Sequence, residues 1–339
     1  MPSANATGGL APGSRFLIVG GGLVGAHAAV ELARLGHPVT VFSRSFSTWL
    51  LEQRAIHPSI ELVTGELPAG EDLSALIDAA DVVLLVAGSS TPASAEDDST
   101  ASVLGSLVPT LTVLDAMRRT STRRIVMASS GGTVYGKVQI LPTPEIHVRE
   151  PISLHGVNQV VSEEYALFFA RQYGLEPTVL RFSNVYGPGQ YVRGGQGVVA
   201  AWCRAIANGE PITLMGEGAL KRDFVFARDA AQAMLAVAGT DARGSYNVGS
   251  GIATALSEVE NLLRAITGED FPVNRLPSRA VDVPVTMLDC GELERVAGWK
   301  ATTSLVRGLS LTWDWYSSHV PEGLPNHGVA AETVTAPPA

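Results

Sequence analysis

A chain of 339 residues with 46% hydrophobic and 17% charged residues can bury one large or two moderate domains around a substantial core. A net charge of -9 without basic clusters argues against a nucleic-acid binder, and two distant cysteines, Cys203 and Cys290, form no disulfide framework or zinc spacing and suit a reducing cytoplasm. Residues 1–14 lack the basic start and apolar core of a secretory signal, residues 321–339 are rich in Pro, Ala and Thr, and no segment approaches the ~20 apolar residues that span a bilayer, so two flexible tails and no membrane association are expected.

The folded part opens on Phe16-Leu17-Ile18-Val19, an apolar run that stops in Gly20-Gly21-Gly22-Leu23-Val24-Gly25. This predicts a strand, a tight turn and a helix. Glycines let the backbone approach a pyrophosphate, whose charge then rests on the free N–H groups of the helix. Any strand-to-helix turn can hold glycines, so the pattern counts only inside a βαβ unit. Leu23, Val24, Ala28, Ala29, Leu32 and Leu35 recur at helical spacing, Gly36 supplies a stop, and residues 38–42 read as a second strand. Where an acidic residue would hold the adenosine ribose of NAD, the chain has Ser43 and Arg44. Serine removes repulsion and arginine supplies charge, so NADP is favoured and NAD possible. A surface arginine without a ligand is the competing reading of Arg44.

Residues 60–64 read as a third strand, 73–79 as a short helix and 81–88 as a strand apolar throughout because both its faces are covered. A long helix over 100–119 and a strand over 124–128 follow, the latter ending in Ser129-Ser130-Gly131-Gly132-Thr133-Val134-Tyr135-Gly136. A further strand is expected over 178–182, a helix from residue 197 and a short strand near 212–214. Strands alternating with helices at this spacing predict a doubly wound parallel sheet, with ligands at the carboxyl ends of its strands. The expected cofactor contacts are Gly20, Gly22, Leu23, Val24, Gly25, Ser43, Arg44, Glu66, Leu67, Ala87 and Gly88. The seven histidines are scattered without ligand spacing, so no metal site is expected.

Six segments in order, residues 20–25, 87–88, 129–136, 181–190, 221–224 and 279–282, resemble the extended short-chain dehydrogenase/reductases. In particular they resemble the NAD(P)-dependent nucleotide-sugar epimerase, dehydratase and 4-ketoreductase branch, from about Phe16 to about Tyr316. The resemblance implies an α/β Rossmann sheet over 15–183 and 225–250, and a smaller C-terminal α+β substrate domain over 184–224 and 251–320. It also implies a nucleotide-sugar substrate, redox at the sugar C4 as epimerase or ketoreductase, and a homodimer paired through the helices over 100–119 and 157–173.

Three departures stand out. Val19 falls where the family has its first glycine. The family's Tyr and Lys, four residues apart, are replaced in Pro151-Ile152-Ser153-Leu154-His155-Gly156-Val157-Asn158-Gln159 by His155 and Gln159. None of the three lysines, Lys137, Lys221 and Lys300, has a tyrosine four residues before it. The helper hydroxyl position is Gly131, flanked by Ser130 and Thr133.

Free tyrosine, with a pKa near ~10, needs a cation to act as a base at neutral pH, whereas histidine near ~6.5 does not. Gln159 can still hydrogen-bond ribose hydroxyls of the cofactor. His155 and Gln159 thus form a coherent catalytic replacement, and a decayed site is the equal alternative. Ser130 and Thr133 are candidate helpers or ordinary loop hydroxyls. Tyr135 is a candidate phenol in the pocket or a packing residue.

On the substrate side the resemblance places Asn184, Arg222 and Arg279 at the nucleotide-sugar diphosphate and Asp282 among the substrate-binding residues. Structural ion pairs of Arg222 with Asp223 and of Arg279 with Asp282 are the competing reading. The alternatives to a C4 redox enzyme are a non-redox enzyme on the same scaffold acting on a natural-product intermediate, and a catalytically silent binding or assembly protein.

Overall fold

The computed structural model describes residues 9–67, 73–88, 92–190, 197–278 and 282–319. Its first half alternates strand and helix: β1 (Phe16–Val19), α1 (Leu23–Arg34), β2 (Val39–Ser43), α2 (Thr48–Ile56), β3 (Ile60–Thr64), α3 (Ser74–Asp78) and β4 (Val82–Leu85). Then come α4 (Pro92–Asp97), α5 (Ser99–Met117), β5 (Arg124–Ser130), α6 (Leu154–Tyr173) and β6 (Glu176–Phe182). After β7 (Asn184–Tyr186), α7 (Val198–Ala207), β8 (Ile212–Met215) and β9 (Lys221–Phe226), the chain returns through α8 (Ala227–Ala238) to β10 (Gly244–Val248). It ends with β11 (Ala253–Ala255), α9 (Leu256–Thr267), β12 (Val273–Leu276), α10 (Gly291–Ala297) and α11 (Leu305–His319).

Seven strands form one parallel sheet in the order β10-β6-β5-β4-β1-β2-β3. Every residue of β1 and of β4 is buried, as strands covered on both faces must be. Successive side chains point to opposite faces, so Phe16 and Ile18 join a core with Ala29, Leu84 and Met234, while Leu17 and Val19 join another with Val83, Val113 and Ile125. The order reverses at β1, which pairs with β2 on one side and β4 on the other, Val19 lying opposite both Phe42 and Leu85. That reversal opens a crevice beyond the carboxyl ends of β1 and β4.

The doubly wound parallel sheet expected from the sequence is the fold of the chain. Helix α2 escaped the sequence reading; Ser47 caps it, accepting from the Leu50 N–H at 3.1 Å. The expectation that no segment is long and apolar enough to cross a membrane needs correction, because α5 is, by length and composition. Among the described residues its apolar side chains Val113, Leu114 and Met117 are spent on the sheet core. Ser106 and Thr110 bond carbonyls one turn back.

The smaller part holds a three-stranded sheet β11-β9-β7 and a parallel pair β12-β8. Its own core gathers Tyr186, Trp202, Leu214, Phe224, Leu263 and Trp315. Gln190, in the loop after β7, lines the crevice.

Candidate active site

At the crevice, Gly20 has φ +116°, a conformation only glycine adopts without strain. A Cβ there would stand 2.7 Å from the Ala87 backbone nitrogen, so the turn lies hard against the end of β4. Gly22 is the N-cap of α1 and offers no capping side chain, which leaves the first N–H groups of the helix for a ligand. A Cβ on Gly22 would meet nothing within 4 Å, whereas one on Gly25 would sit 2.0 Å from the Gly20 carbonyl oxygen. Gly22 therefore keeps the approach open, and Gly25 lets α1 close down on the turn. The role of the missing first glycine falls to Gly20, one residue after Val19.

A cleft of about 790 Å³ extends from this turn. Gly20, Gly22, Leu23, Ser43, Arg44, Glu66, Leu67, Ala87 and Gly88 all line it. Val24 does not: its side chain turns into the core of the sheet. Arg44 Nη1 lies 3.5 Å from Glu66 Oε1 in an exposed pair, so the arginine brought in as a phosphate reader already has a carboxylate beside it. Phe46, Ser47, Gly105, Pro109 and Gln190 also line the cleft and were not among the expected contacts. The Ser47 cap of α2 was a legible local signal, but the arrival of α5 and of Gln190 depends on long-range packing.

A second group forms around the start of α6. Ser153 caps the helix, accepting from the Gly156 N–H at 3.2 Å. A Cβ on Gly156 would stand 2.8 Å from the Thr133 carbonyl oxygen, so the first turn of α6 presses on the Ser130–Thr133 loop. His155 lies on that turn, half-buried, and burial pushes its imidazole from 6.5 down to about 4. The ring is therefore neutral at neutral pH. Gln159 follows one turn along, also half-buried. Ser130 ends β5 and Thr133 Oγ1 reaches its carbonyl at 3.4 Å. At the helper position, a Cβ on Gly131 would stand 2.6 Å from a Leu288 methyl and 2.9 Å from the Arg181 carbonyl oxygen, so side chain and main chain together fill the direction a serine would take.

Tyr135 is a correction. It is 1% exposed, its hydroxyl donates to Asn247 Oδ1 at 2.8 Å and accepts from Arg181 Nη1 at 2.9 Å, and it faces no cleft. With both functions used inside the core, it is a packing residue.

Asn184 opens β7, two residues after the Phe182 that pairs with Ser130. Arg222 Nη1 donates to the Val283 and Lys221 carbonyls at 2.7 and 2.9 Å. Asp223, offered as its ion-pair partner, instead accepts from the Ser250, Gly251 and Leu288 N–H groups. Asp282 stands next to Val283 in the segment that Arg222 grips, and Arg279 lies outside the described residues.

The model of the NAD dependent epimerase/dehydratase family matches residues 16–249. The chain belongs to this family. A Methanocaldococcus jannaschii protein named "Putative UDP-glucose 4-epimerase" is 30% identical over 90% of this chain and 99% of its own length. The structure of Thermotoga maritima UDP-glucose 4-epimerase with UDP-glucose is 29% identical with a TM-score of 0.83, covering 90% of this chain and 99% of that one. The Thermus thermophilus UDP-glucose 4-epimerase complex with NAD is 26% identical with a TM-score of 0.82, covering 89% and 98%. Within this NAD-dependent family, the glycine turn and its cleft fit a dinucleotide on their own geometry: an uncapped helix start, an open Gly22 and a Gly20 conformation that keeps side chains away.

Proposed function

We propose that this family member acts on a nucleotide-activated sugar by redox at C4, with His155 transferring the proton and NAD held in the glycine-turn cleft. The observation that carries the reading is the place of His155 on the first turn of α6, which presses on the Ser130–Thr133 loop. A bound nicotinamide would supply the hydride acceptor and donor. The neutral imidazole accepts the proton of a sugar hydroxyl as that carbon is oxidised, and returns it on reduction. This sequence suits an epimerase better than a ketoreductase, which needs a proton donor at the start. Gln159 holds a ribose hydroxyl of the cofactor without adding a positive charge. Ser130 and Thr133 stand in for the helper hydroxyl that Gly131 and Leu288 displace. Asn184, Arg222 and Arg279 serve the diphosphate of the substrate, and Asp282 belongs to the same substrate site.

The finer choice of NADP over NAD rests on Ser43 and Arg44. Glu66 offsets the charge of Arg44, and NAD is the cofactor in the Thermus thermophilus complex, so NAD takes first place in this proposal with NADP as its competitor. A homodimer is part of the same reading: Val157, Tyr165 and Phe168 form an exposed stripe on α6 at helical spacing.

The test is product analysis by NMR with NAD or NADPH and a panel of UDP- and dTDP-hexoses that includes 4-keto sugars, run beside His155→Phe. A C4-inverted product that vanishes in the variant is expected. Turnover that survives in His155→Phe removes the catalytic role, and turnover that survives removal of the dinucleotide moves the chain to non-redox chemistry. Ligand binding with no product from any hexose points to a silent protein or another substrate class.

A further inference from the structure

Gln190 joins the two halves of the molecule. It lines the cleft beside the glycine turn, yet it belongs to the loop that follows β7. That loop is fixed from several sides. His27, fully buried on α1 and stacked on Trp49 with ring centroids 4.0 Å apart, donates from Nε2 to the Pro188 carbonyl at 3.0 Å. Gly189, with φ +80°, is wedged so close to Trp49 that a Cβ would lie 2.7 Å from it. The hydroxyl of Tyr316, from α11, donates to the Gln190 carbonyl.

Within this rigid frame the side-chain amide is half satisfied. Nε2 donates to the Val185 carbonyl at 3.3 Å, which fixes which end of the amide is oxygen. Oε1 is withdrawn from solvent and has no hydrogen-bond partner among the described residues. Buried acceptors are almost always paired, and leaving one unpaired is costly. The pyrophosphate of a dinucleotide carries only acceptors, whereas its riboses carry hydroxyl donors.

We infer that Gln190 is a cofactor-binding residue whose Oε1 accepts a hydrogen bond from a ribose hydroxyl of the bound dinucleotide. The long bond to Val185 lets the carboxamide turn towards the cleft when that donor arrives. His27 on α1 holds the Pro188 carbonyl and Tyr316 on α11 holds that of Gln190, so the loop that carries the amide is fixed to both helices. This inference rests on the dinucleotide reading of the cleft.

Gln190→Met keeps the length of the side chain and removes the Oε1 acceptor together with the long Nε2 bond to the Val185 carbonyl. Calorimetric titration with NAD should give a Kd about tenfold weaker than native, while the melting temperature of the ligand-free variant stays within a degree or two of native or rises. A single-hydroxyl-deleted NAD analogue should bind native protein about tenfold more weakly than NAD, and should lose nothing further against Gln190→Met. Unchanged NAD affinity in the variant overturns the inference, as does a variant whose ligand-free melting temperature falls while NAD still binds as tightly. A loss seen only when UDP-glucose is titrated overturns the assignment to the dinucleotide. If the variant does not fold, the native protein decides: equal binding of NAD and every deoxy analogue sinks the idea. Native protein that binds no NAD at all would instead remove the cofactor reading beneath it.

Discussion

The glycine turn and the start of α6 are built from different materials. At the dinucleotide end, recognition rests on backbone: the φ of Gly20, the uncapped start of α1 and the contact of Gly25 with the turn. At the catalytic end it rests on side chains, and there His155, Gln159 and Gly131 all differ from the pattern that the rest of the chain resembles. Gly20 and Gly25 tolerate little change, because a Cβ added to either meets main chain. Side-chain sites can be rebuilt as long as the volume is shared out again, and Leu288 filling the space beside Gly131 is such a sharing.

The largest effect is expected where that contrast is sharpest. Gly25→Ala places a methyl on the Gly20 carbonyl, so it should lower the melting temperature by several degrees and abolish NAD binding in calorimetry. Native-like binding would mean that the turn is softer than its geometry implies. His155→Phe should do the opposite: kcat falls by about 10²- to 10⁴-fold, while the Kd for NAD, measured by the same titration, stays within about threefold.

Between these extremes lies the pair Gly131 and Leu288. Gly131→Ser should cost about 1–3 kcal/mol in urea denaturation, the usual range for overpacking. Adding Leu288→Ala should make the double variant more stable than the sum of the two single changes, since the serine then enters the space the leucine left. Simple additivity would show that the two side chains do not compete.

The pH dependence separates the two ends again. Burial lowers both His27 and His155 from 6.5 to about 4, so between those values the unfolded chain binds protons that the folded chain does not. Stability is therefore full above pH 6.5 and falls as pH drops towards 4. For the fully buried His27 the loss is on the order of 3 kcal/mol. Urea midpoints at pH 7, 5.5 and 4.5 should decline, less steeply in His27→Phe, and kcat should show no histidine inflection near 6.5. A flat stability profile would mean that the rings can protonate in place. The smallest effect is on assembly: Phe168→Glu on the exposed face of α6 should shift a dimer to monomer in light scattering and leave NAD affinity unchanged.

The strand pattern was legible where the central strands β1 and β4 are buried on both faces and read as apolar runs. The glycine turn was legible because glycine spacing reports backbone conformation directly. Helix α2 was harder: its nine residues carry Glu52, Gln53 and Arg54 and bury only Leu50 fully, so periodicity is faint. Tyr135 misled because a tyrosine in a resembling segment says nothing of where its hydroxyl points, and here Arg181 and Asn247 take it into the core.

What the sequence by itself determined is therefore the class of sheet and the place of the glycine turn. Those are properties of local spacing and residue identity. Only the tertiary structure decided that Leu288 packs beside Gly131, that Glu66 stands against Arg44, that His155 is half-buried and that Gln190 reaches the cleft. Each depends on residues far apart in the chain meeting in a packed interior, where burial and neighbouring charge set chemistry that no local pattern encodes.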